Sequence, residues 1–379
     1  MKVELNRWAK TSGWGPSQLG KLGNSAQLVL AFGSPAILQD RPLIAQVQAA
    51  FPQAAVLGCS TAGEICGTQV TDDSLVVAAI HLERSRVQCT RVLLREVADS
   101  FAAGEALARS LPPDDLKHVF VLSDGLSVNG SELVRGLTKN LPEAVSVTGG
   151  LSGDGGRFQE TYVLWKGVAE RDAVTAMGFY GPALWIGYAS FGGWDPFGPE
   201  RLITRSRGNV LFELDGKSAL ELYKRYLGEH AAGLPATGLL FPLTLRSHEG
   251  ETGVVRTILS VNEEEQSMTF AGNVPEGSYG RFMKANFDRL IDGATMAARA
   301  CHQALKKASP DLAILISCVG RKMVLKQRVE EEVEGVKDVL GANTALTGFY
   351  SYGEISPFSP GARCELHNQT MTITTFREE

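Results

Sequence analysis

One pattern occurs three times along this chain of 379 residues. Each copy reads as a buried strand, a helix, a second strand and a glycine turn, over residues 28–65, 118–155 and 312–355. The three turns read LGCSTAGEI, VTGGLSGDG and LTGFYSYGEI, with glycines and an acidic residue at nearly equal spacing. A repeated β-α-β unit predicts an α/β fold in which each turn leaves the carboxyl end of a strand, where ligands bind in such folds.

The length of the chain and one connecting segment predict two fused domains. A single core rarely grows to 379 residues, and GGWDPFGPE (192–200) has the glycine and proline content of a surface connector. We therefore predict repeated β-α-β units with additional antiparallel strands, in two fused domains of residues 1–195 and 196–379. The strands after the first and third turns alternate in hydropathy, which predicts exposed strands.

The composition excludes several classes of protein. Hydrophobic residues make up 44% of the chain and the formal net charge is −5, which favours a soluble globular protein without affinity for nucleic acid or membrane. No apolar run reaches the ~18 residues of a membrane helix. The N-terminal MKVELNRWAK lacks the apolar segment of a secretory signal, and the cysteines form no C-x-x-C pair. A reducing cytoplasm is expected.

The glycine turns carry most of the candidate binding residues. Glycines permit positive φ and close backbone approach, so hydroxyl and carboxylate groups project beside exposed N–H groups. Such a site suits a small ligand with an amine and a carboxylate. The alternative is structural, with tight turns whose acids cap backbone N–H groups. The predicted ligand contacts are Ser60, Thr61, Glu64, Ser152, Asp154, Ser351, Tyr352 and Glu354.

Arg256 is the predicted anion contact. It lies among apolar residues in VVRTILSV, on a predicted strand. A buried arginine usually has a carboxylate partner within the protein. The alternative is a partner on a ligand, either a carboxylate or a haem propionate. The charged segment KQRVEEEVEGVKD, by contrast, predicts a helix with a solvated face.

The sequence gives little support for catalysis. In GCSTAG and GLSVNG the glycine follows the serine by three positions, whereas a nucleophile elbow requires two. Neither H-E-x-x-H nor a P-loop occurs. A pair such as Cys318 with His367 is the remaining enzymatic alternative, although a cysteine at a strand end is more often buried packing. We predict that the chain is not an enzyme.

Together these segments resemble the FIST family of bacterial sensory domains. LGCSTAGEI, SDGLSVNGSELVRGL and VTGGLSGDG are similar to its N-terminal domain. ELDGKSALELYKRYLG, SCVGRK, GFYSYGEI and LHNQTMTITT are similar to its C-terminal domain. The resemblance covers nearly the whole chain and implies a sensor of small molecules, with amino acids proposed as ligands. In some members it implies a haem protein that senses nitric oxide.

The resemblance also implies a partner, since no output segment follows the last predicted strand. We expect signalling in trans to a histidine kinase or a cyclic-di-GMP enzyme. The leading version is a nitric oxide sensor with haem b, whose iron would be the only metal. The alternative is a sensor of an amino-acid-like molecule without haem. The candidate axial ligands are His248 and His230, which lie in less regular sequence, whereas His367 is interpreted as structural.

Overall fold

The three sequence repeats are three structural units with one common plan. The computed structural model describes residues 1–15, 18–246, 253–358 and 361–379. Each unit has a first strand, a β-α-β pair of parallel strands, a short hairpin after the glycine turn and a last strand. The α/β class predicted from the sequence is confirmed.

Unit 1 follows this plan with one small extra strand, β2. Its elements are β1 (Lys2–Ala9), β2 (Gly13–Trp14), β3 (Leu28–Gly33), α1 (Pro35–Leu38), α2 (Arg41–Ala50), β4 (Ala55–Ser60), β5 (Glu64–Cys66), β6 (Gln69–Thr71) and β7 (Ser74–His81).

Unit 2 has a second helix in front of its parallel strands. Its elements are β8 (Arg86–Leu93), α3 (Ser100–Arg109), β9 (Leu116–Ser123), α4 (Gly130–Asn140), β10 (Ser146–Leu151), β11 (Val163–Trp165), β12 (Val168–Glu170) and β13 (Ala173–Tyr180).

Unit 3 is interrupted after its first strand, β14 (Leu184–Phe191), by a small domain that we call the insertion. The insertion contains β15 (Trp194–Pro196), β16 (Arg201–Arg207), β17 (Val210–Leu214), β18 (Lys217–Ser218), α5 (Ala219–Leu227), β19 (Leu243–Arg246), β20 (Val254–Arg256), β21 (Ile258–Asn262), β22 (Ser267–Phe270) and β23 (Tyr279–Ala285). The unit resumes with α6 (Phe287–Ala304), β24 (Leu312–Cys318), α7 (Val319–Leu325), α8 (Val329–Leu340), β25 (Ala345–Ser351), β26 (Gly353–Pro357), β27 (Cys364–His367) and β28 (Met371–Glu378).

The sheets of the three units share one strand order. The parallel pairs are β3 with β4, β9 with β10 and β24 with β25. The last strand of each unit lies antiparallel between the first strand and this pair. β7 and β28 are therefore interior strands, and they are buried over most of their length. The prediction that they are exposed was wrong, because both faces of each sheet are covered.

After its glycine turn, each unit sends a hairpin to the sheet of another unit. β5 of unit 1 pairs with β25 of unit 3, β11 of unit 2 with β4 of unit 1, and β26 of unit 3 with β10 of unit 2. This cyclic exchange joins the three sheets in a ring with approximate threefold symmetry.

One face of each sheet points into a core shared by all three units. On β3, Leu28, Leu30 and Phe32 belong to this core, while Val29 and Ala31 pack with the outer layer that contains α2. β9 and β24 alternate in the same way. Period-two alternation with both faces apolar explains why these strands read as continuous hydrophobic runs.

A buried ion pair of unit 3 binds the chain on either side of the insertion. Arg321 donates from Nη1 to the carbonyl oxygen of Gly192 (3.2 Å) and from Nη2 to that of Leu290 (2.6 Å), on either side of the insertion. Its charge is balanced by Glu332, whose Oε2 lies 2.7 Å from Nη2, and both side chains are fully buried. Glu332 belongs to α8, so for this residue the predicted solvated face was wrong.

In the described part of the chain, none of the helices has the length and apolar character that a membrane crossing requires.

Candidate functional site

The three glycine turns meet on the approximate threefold axis. In each turn, one backbone N–H donates to the carbonyl oxygen of a strand residue in the neighbouring unit. These bonds run from Ala62 to Tyr350 (2.8 Å), from Gly153 to Ser60 (2.9 Å) and from Tyr352 to Leu151 (3.2 Å). The three turns come from three different sheets, and the exchanged hairpins bring them together.

One glycine in each parallel strand pair permits this close packing. A Cβ atom on Gly58, Gly149 or Gly348 would lie 1.7, 1.9 or 1.8 Å from the carbonyl oxygen of the residue opposite it on the partner strand. Side chains are excluded at all three positions because the neighbouring backbone occupies the space. The shared sequence pattern therefore has a structural basis at these glycines.

Units 1 and 3 hold a buried glutamate in the same way. The hydroxyl three residues earlier donates to Oε1, from Thr61 to Glu64 and from Ser351 to Glu354, each at 2.5 Å. The other carboxyl oxygen, Oε2, accepts from the backbone N–H and the hydroxyl of one residue, which is Ser74 for Glu64. Each glutamate thus has an internal partner for both oxygens.

Both glutamates are protonated more readily than an exposed carboxyl group. Burial raises the pKa of Glu64 to about 7 and that of Glu354 to about 8, against an ordinary value of 4.5. Their hydroxyl partners lower these values, but the loss of hydration outweighs them. Because both oxygens of each buried carboxyl group already have partners within the protein, these contacts favour a structural role over ligand capture.

Unit 2 departs from this arrangement. The strand pairing sets Val163 opposite Cys59, just as Glu64 stands opposite Phe349, so Val163 occupies the glutamate position of unit 2. Val163 packs with Ala173, which replaces the hydroxyl residue of the other units. The sequence alignment of Asp154 with Glu64 and Glu354 was therefore wrong.

Asp154 organises the loop that follows the second turn. Its carboxylate accepts backbone N–H groups of Phe158, Gln159 and Glu160 at 2.8 to 3.0 Å, and the hydroxyl of Tyr352. Ser60 accepts the backbone N–H of Tyr162 (2.9 Å), and the hydroxyl of Ser152 donates to the carbonyl oxygen of Ser123 (2.9 Å).

Three of the predicted turn residues line a small cavity. Thr61, Glu64 and Asp154 border a space of about 260 Å³, together with Asp72 and Asp73. All eight predicted turn residues are at most 2% exposed. As ligand contacts they remain predictions, and their observed partners fit the structural alternative.

Arg256, the ninth predicted residue, has a different environment. It is 5% exposed and donates from Nε to Asn273 O (3.1 Å) and from Nη1 to Val255 O (3.2 Å) and Leu366 O (2.9 Å). A longer bond of 3.4 Å joins Nη2 to the hydroxyl of Ser131. Among the described residues, no carboxylate lies within ion-pair distance of this guanidinium. Burial lowers the pKa of Arg256 to about 10, so the side chain is still charged at neutral pH.

Arg256 lines a cleft between unit 2 and the insertion, which we call the interdomain cleft. It measures about 330 Å³ and adjoins a larger space of about 720 Å³. Helix α4 forms one wall with Ser131, Glu132, Val134, Arg135 and Thr138. Strands β19, β20 and β27 form much of the other wall. Four arginines and two glutamates line the cleft, so it is locally basic in a chain of net charge −5.

Sequence reasoning missed the residues of this cleft other than Arg256. The side chain of Asn129 caps α4, which leaves Ser131 free to contact the insertion. The hydroxyl of Ser131 accepts the backbone N–H of Asn273 (3.1 Å), and Asn273 Nδ2 donates to Glu132 Oε1 (2.7 Å). No local pattern reveals these contacts, because they join residues more than a hundred positions apart.

The histidines differ in their access to a haem iron. His230 is exposed on a short 3-10 helix, Gly228–Gly233, against the ring of Phe241. His248 lies outside the described residues. His367 is buried, and its Nε2 lies 2.7 Å from the carbonyl oxygen of Ser356. Nε2 is therefore not free to bind a haem iron, which agrees with the structural role expected for His367.

The Cys318 and His367 alternative shows no sign of activation. Cys318 is completely buried, and burial raises the pKa of its thiol, so the thiolate is disfavoured. His367 directs Nε2 to backbone, as described above. Across the described residues, no group of three or more His, Cys, Asp or Glu side chains is arranged to hold a metal ion.

The chain matches two protein-family models and is similar to proteins from two organisms. The model of the FIST N domain matches residues 27–217, and that of the FIST C domain matches residues 219–357. An uncharacterised protein of Methanocaldococcus jannaschii is 25% identical over 79% of this chain, which spans 60% of that relative's length. An uncharacterised protein of Mycobacterium tuberculosis is 23% identical over 92% of both chains.

Two solved structures have distant similarity. A chorismatase aligns over 98% of both chains with 8% identity and a TM-score of 0.35. A cyanuric acid hydrolase from A. caulinodans aligns over 99% of both chains with 8% identity and a TM-score of 0.38. Likenesses at this level do not bear on the activity of this chain.

Proposed function

The chain belongs to the FIST family, whose domains are generally small-ligand sensors, and on that premise we propose that its ligand carries an anionic group bound by Arg256 in the interdomain cleft. The observation that carries this proposal is a buried guanidinium with only neutral hydrogen-bond partners among the described residues. A buried charge without an ion-pair partner is costly, and an anion bound to Arg256 would offset that cost.

The ligand class follows from the charges around Arg256. A carboxylate matches the planar fork of a guanidinium and forms charge-assisted hydrogen bonds. Glu365 lines the same cleft, and its charge acts on Arg256. An amino acid would therefore place its carboxylate on Arg256 and its ammonium group toward Glu365. This version retains the amino-acid-like ligand expected from the sequence but moves it from the glycine turns to the cleft.

Arg256 also gives the ligand a route to the rest of the molecule. The guanidinium bridges Asn273 O of the insertion and Leu366 O of β27, so it helps to fix the position of the insertion on unit 3. A carboxylate would compete for these N–H groups and shift the population of domain arrangements. In this proposal the chain acts by binding, not by catalysis, and passes the change in trans to a histidine kinase or a cyclic-di-GMP enzyme in the cytoplasm.

The test compares free L-amino acids with their amides, which lack the carboxylate. We expect one or more amino acids to raise the melting temperature of the full chain, and the matching amides to have no effect. Arg256→Gln should weaken calorimetric binding by about 10- to 100-fold, as expected for a charge-assisted bond.

Arg135→Gln is the matched control, because Arg135 lines the same cleft but its side chain is 66% exposed and already paired with Glu132. Its binding should stay within about threefold of the parent. Equal binding of acids and amides, or unchanged binding in a folded Arg256→Gln protein, would contradict the proposal.

The haem version of the sensory role keeps His248 and His230 as its two axial candidates and favours His248, because His230 is exposed. In that version, haemin gives a sharp absorption band that saturates at one haem per chain and shifts with nitric oxide. The band would be lost in His248→Ala and kept in His230→Ala. A spectrum of free haemin alone would remove this version and leave the anion proposal intact.

A further inference from the structure

A second cavity lies on the other face of the hairpin formed by β19 and β20. Successive residues of a strand point to opposite sides. Leu245 and Arg256 line the interdomain cleft, whereas Thr244 and Val255 line a separate cavity of about 460 Å³. β27 divides the two spaces in the same way, with Leu366 and His367 on opposite sides. The hairpin is therefore a common wall.

The second cavity is mainly apolar. Its walls include Phe191, Trp194, Val255, Met283 and Phe358. The Trp194 ring is held in place because Nε1 donates to the carbonyl oxygen of Gln369 (3.0 Å). Among the described residues, the lining contains no Asp, Glu, Lys or Arg side chain. Ligand sites of this kind take flat hydrophobic groups and select them through a few polar atoms.

His367 supplies a polar atom with no partner in the protein. Its side chain lines the cavity and is 1% exposed. Nε2 faces a carbonyl oxygen, that of Ser356, so this nitrogen carries the proton of a neutral ring and Nδ1 is an acceptor. Nδ1 has no hydrogen-bond partner among the described residues. A buried acceptor without a donor costs free energy that a ligand donor would recover.

We propose that this cavity is a second ligand site, which takes a neutral, flat, apolar molecule with one N–H or O–H group donated to His367 Nδ1. The apolar walls exclude charged ligands, because no counter-charge lines them and desolvation is unfavourable. The site is separate from the anion site, since the two spaces lie on opposite faces of the hairpin.

The test uses indole, which has one N–H donor, and 1-methylindole, which has none. Calorimetry on the full chain should show indole binding that saturates at one molecule per chain. We expect 1-methylindole to bind about fivefold or more weakly, the loss of one net hydrogen bond. Arg135→Gln should leave indole binding unchanged, because Arg135 does not line this cavity.

Two variants locate the site. His367→Leu removes both ring nitrogens, leaves no side-chain acceptor and should abolish the preference for indole over 1-methylindole. Val255→Phe fills the cavity from the hairpin, leaves His367 unchanged and should block both molecules. Circular dichroism confirms that each variant is folded. Absence of saturable indole binding, equal binding of the two probes, or full binding in folded Val255→Phe would overturn the proposal.

Discussion

Thr370 donates both its backbone N–H (3.2 Å) and its hydroxyl (3.0 Å) to one carboxyl oxygen of Glu354. Ser74 holds Glu64 in the same way, more than two hundred residues earlier in the chain. The correspondence shows that units 1 and 3 share side-chain chemistry as well as topology. It also means that two buried carboxyl groups titrate near neutral pH in the same surroundings.

The first prediction concerns the effect of pH on stability. The pKa of Glu354 rises from 4.5 to about 8 on burial. Between these values the folded state binds more protons than the unfolded state, so the free energy of unfolding falls as pH rises. The stabilising contribution is complete below about pH 4.5 and is lost as pH rises through about 8. Glu354→Gln cannot ionise, so its stability should decline less between about pH 5 and pH 9.

Urea denaturation at several pH values measures this difference. Glu64→Gln is the companion variant, and its difference from the parent should level off at a lower pH than that of Glu354→Gln, because the pKa of Glu64 is about 7 and that of Glu354 about 8. If Glu354→Gln and the parent chain lose stability in parallel over the whole range, Glu354 is already ionised in the folded protein and the assignment fails.

The second prediction concerns the glycines of the parallel strands. In Gly348→Ala, the new Cβ would lie 1.8 Å from Leu315 O, so the two strands must separate. We expect a loss of about 2–3 kcal/mol in the free energy of unfolding, and similar losses for Gly58→Ala and Gly149→Ala. Gly156→Ala is the control, because no atom lies within 4 Å of its Cβ position. A Gly348→Ala protein as stable as Gly156→Ala would disprove this account of the repeat.

The third prediction concerns the buried pair that binds the chain on either side of the insertion. Arg321→Met leaves Glu332 charged and buried without its partner, which should cost about 3–5 kcal/mol of stability. Replacing both residues by methionine should recover much of this loss, because the unpaired charge is then removed. Arg328→Met removes an exposed pair with Glu331 and should leave the denaturation midpoint unchanged. If the double variant is less stable than Arg321→Met, the pair does not act as proposed.

The features that were predicted correctly from the sequence are those that depend on local backbone geometry. The spacing of Gly58, Gly149 and Gly348 identified the repeat, because only glycine allows two backbones to approach so closely. The same spacing misplaced Asp154, since the loop after Gly153 is longer in unit 2. In unit 2, pairing with β4 places Val163 at the position that a glutamate occupies in the other units. The sequence does not reveal this register, because the length of the loop differs between the units.

It was harder to predict from the sequence which charged side chains are buried than to predict where the strands lie. Glu332 lies in a run of acidic residues typical of a solvated helix, yet its partner Arg321 removes it from water. Arg256 was identified from its apolar neighbours in the sequence. The sequence could not show that Arg256 contacts a serine in place of a carboxylate, because Ser131 is 125 positions away. The interdomain cleft could not be located from the sequence, because its walls come from separate domains.

The last prediction concerns communication across the hairpin of β19 and β20. Val255 and Arg256 are adjacent on β20 and face opposite cavities, and Arg256 Nη1 donates to Leu366 O, one residue before His367. A ligand on either face should therefore shift the wall of the other site. We expect saturating indole to change the affinity for a bound amino acid by at least about twofold, and the amino acid to change indole affinity by the same factor. Calorimetric titration of each ligand with and without the other measures both factors.

Filling the apolar cavity with Val255→Phe should mimic the effect of indole on the affinity for the amino acid. The two factors must be equal for single sites, so unequal factors would show that a probe occupies more than one site. Two unchanged affinities would show that the hairpin does not couple the sites.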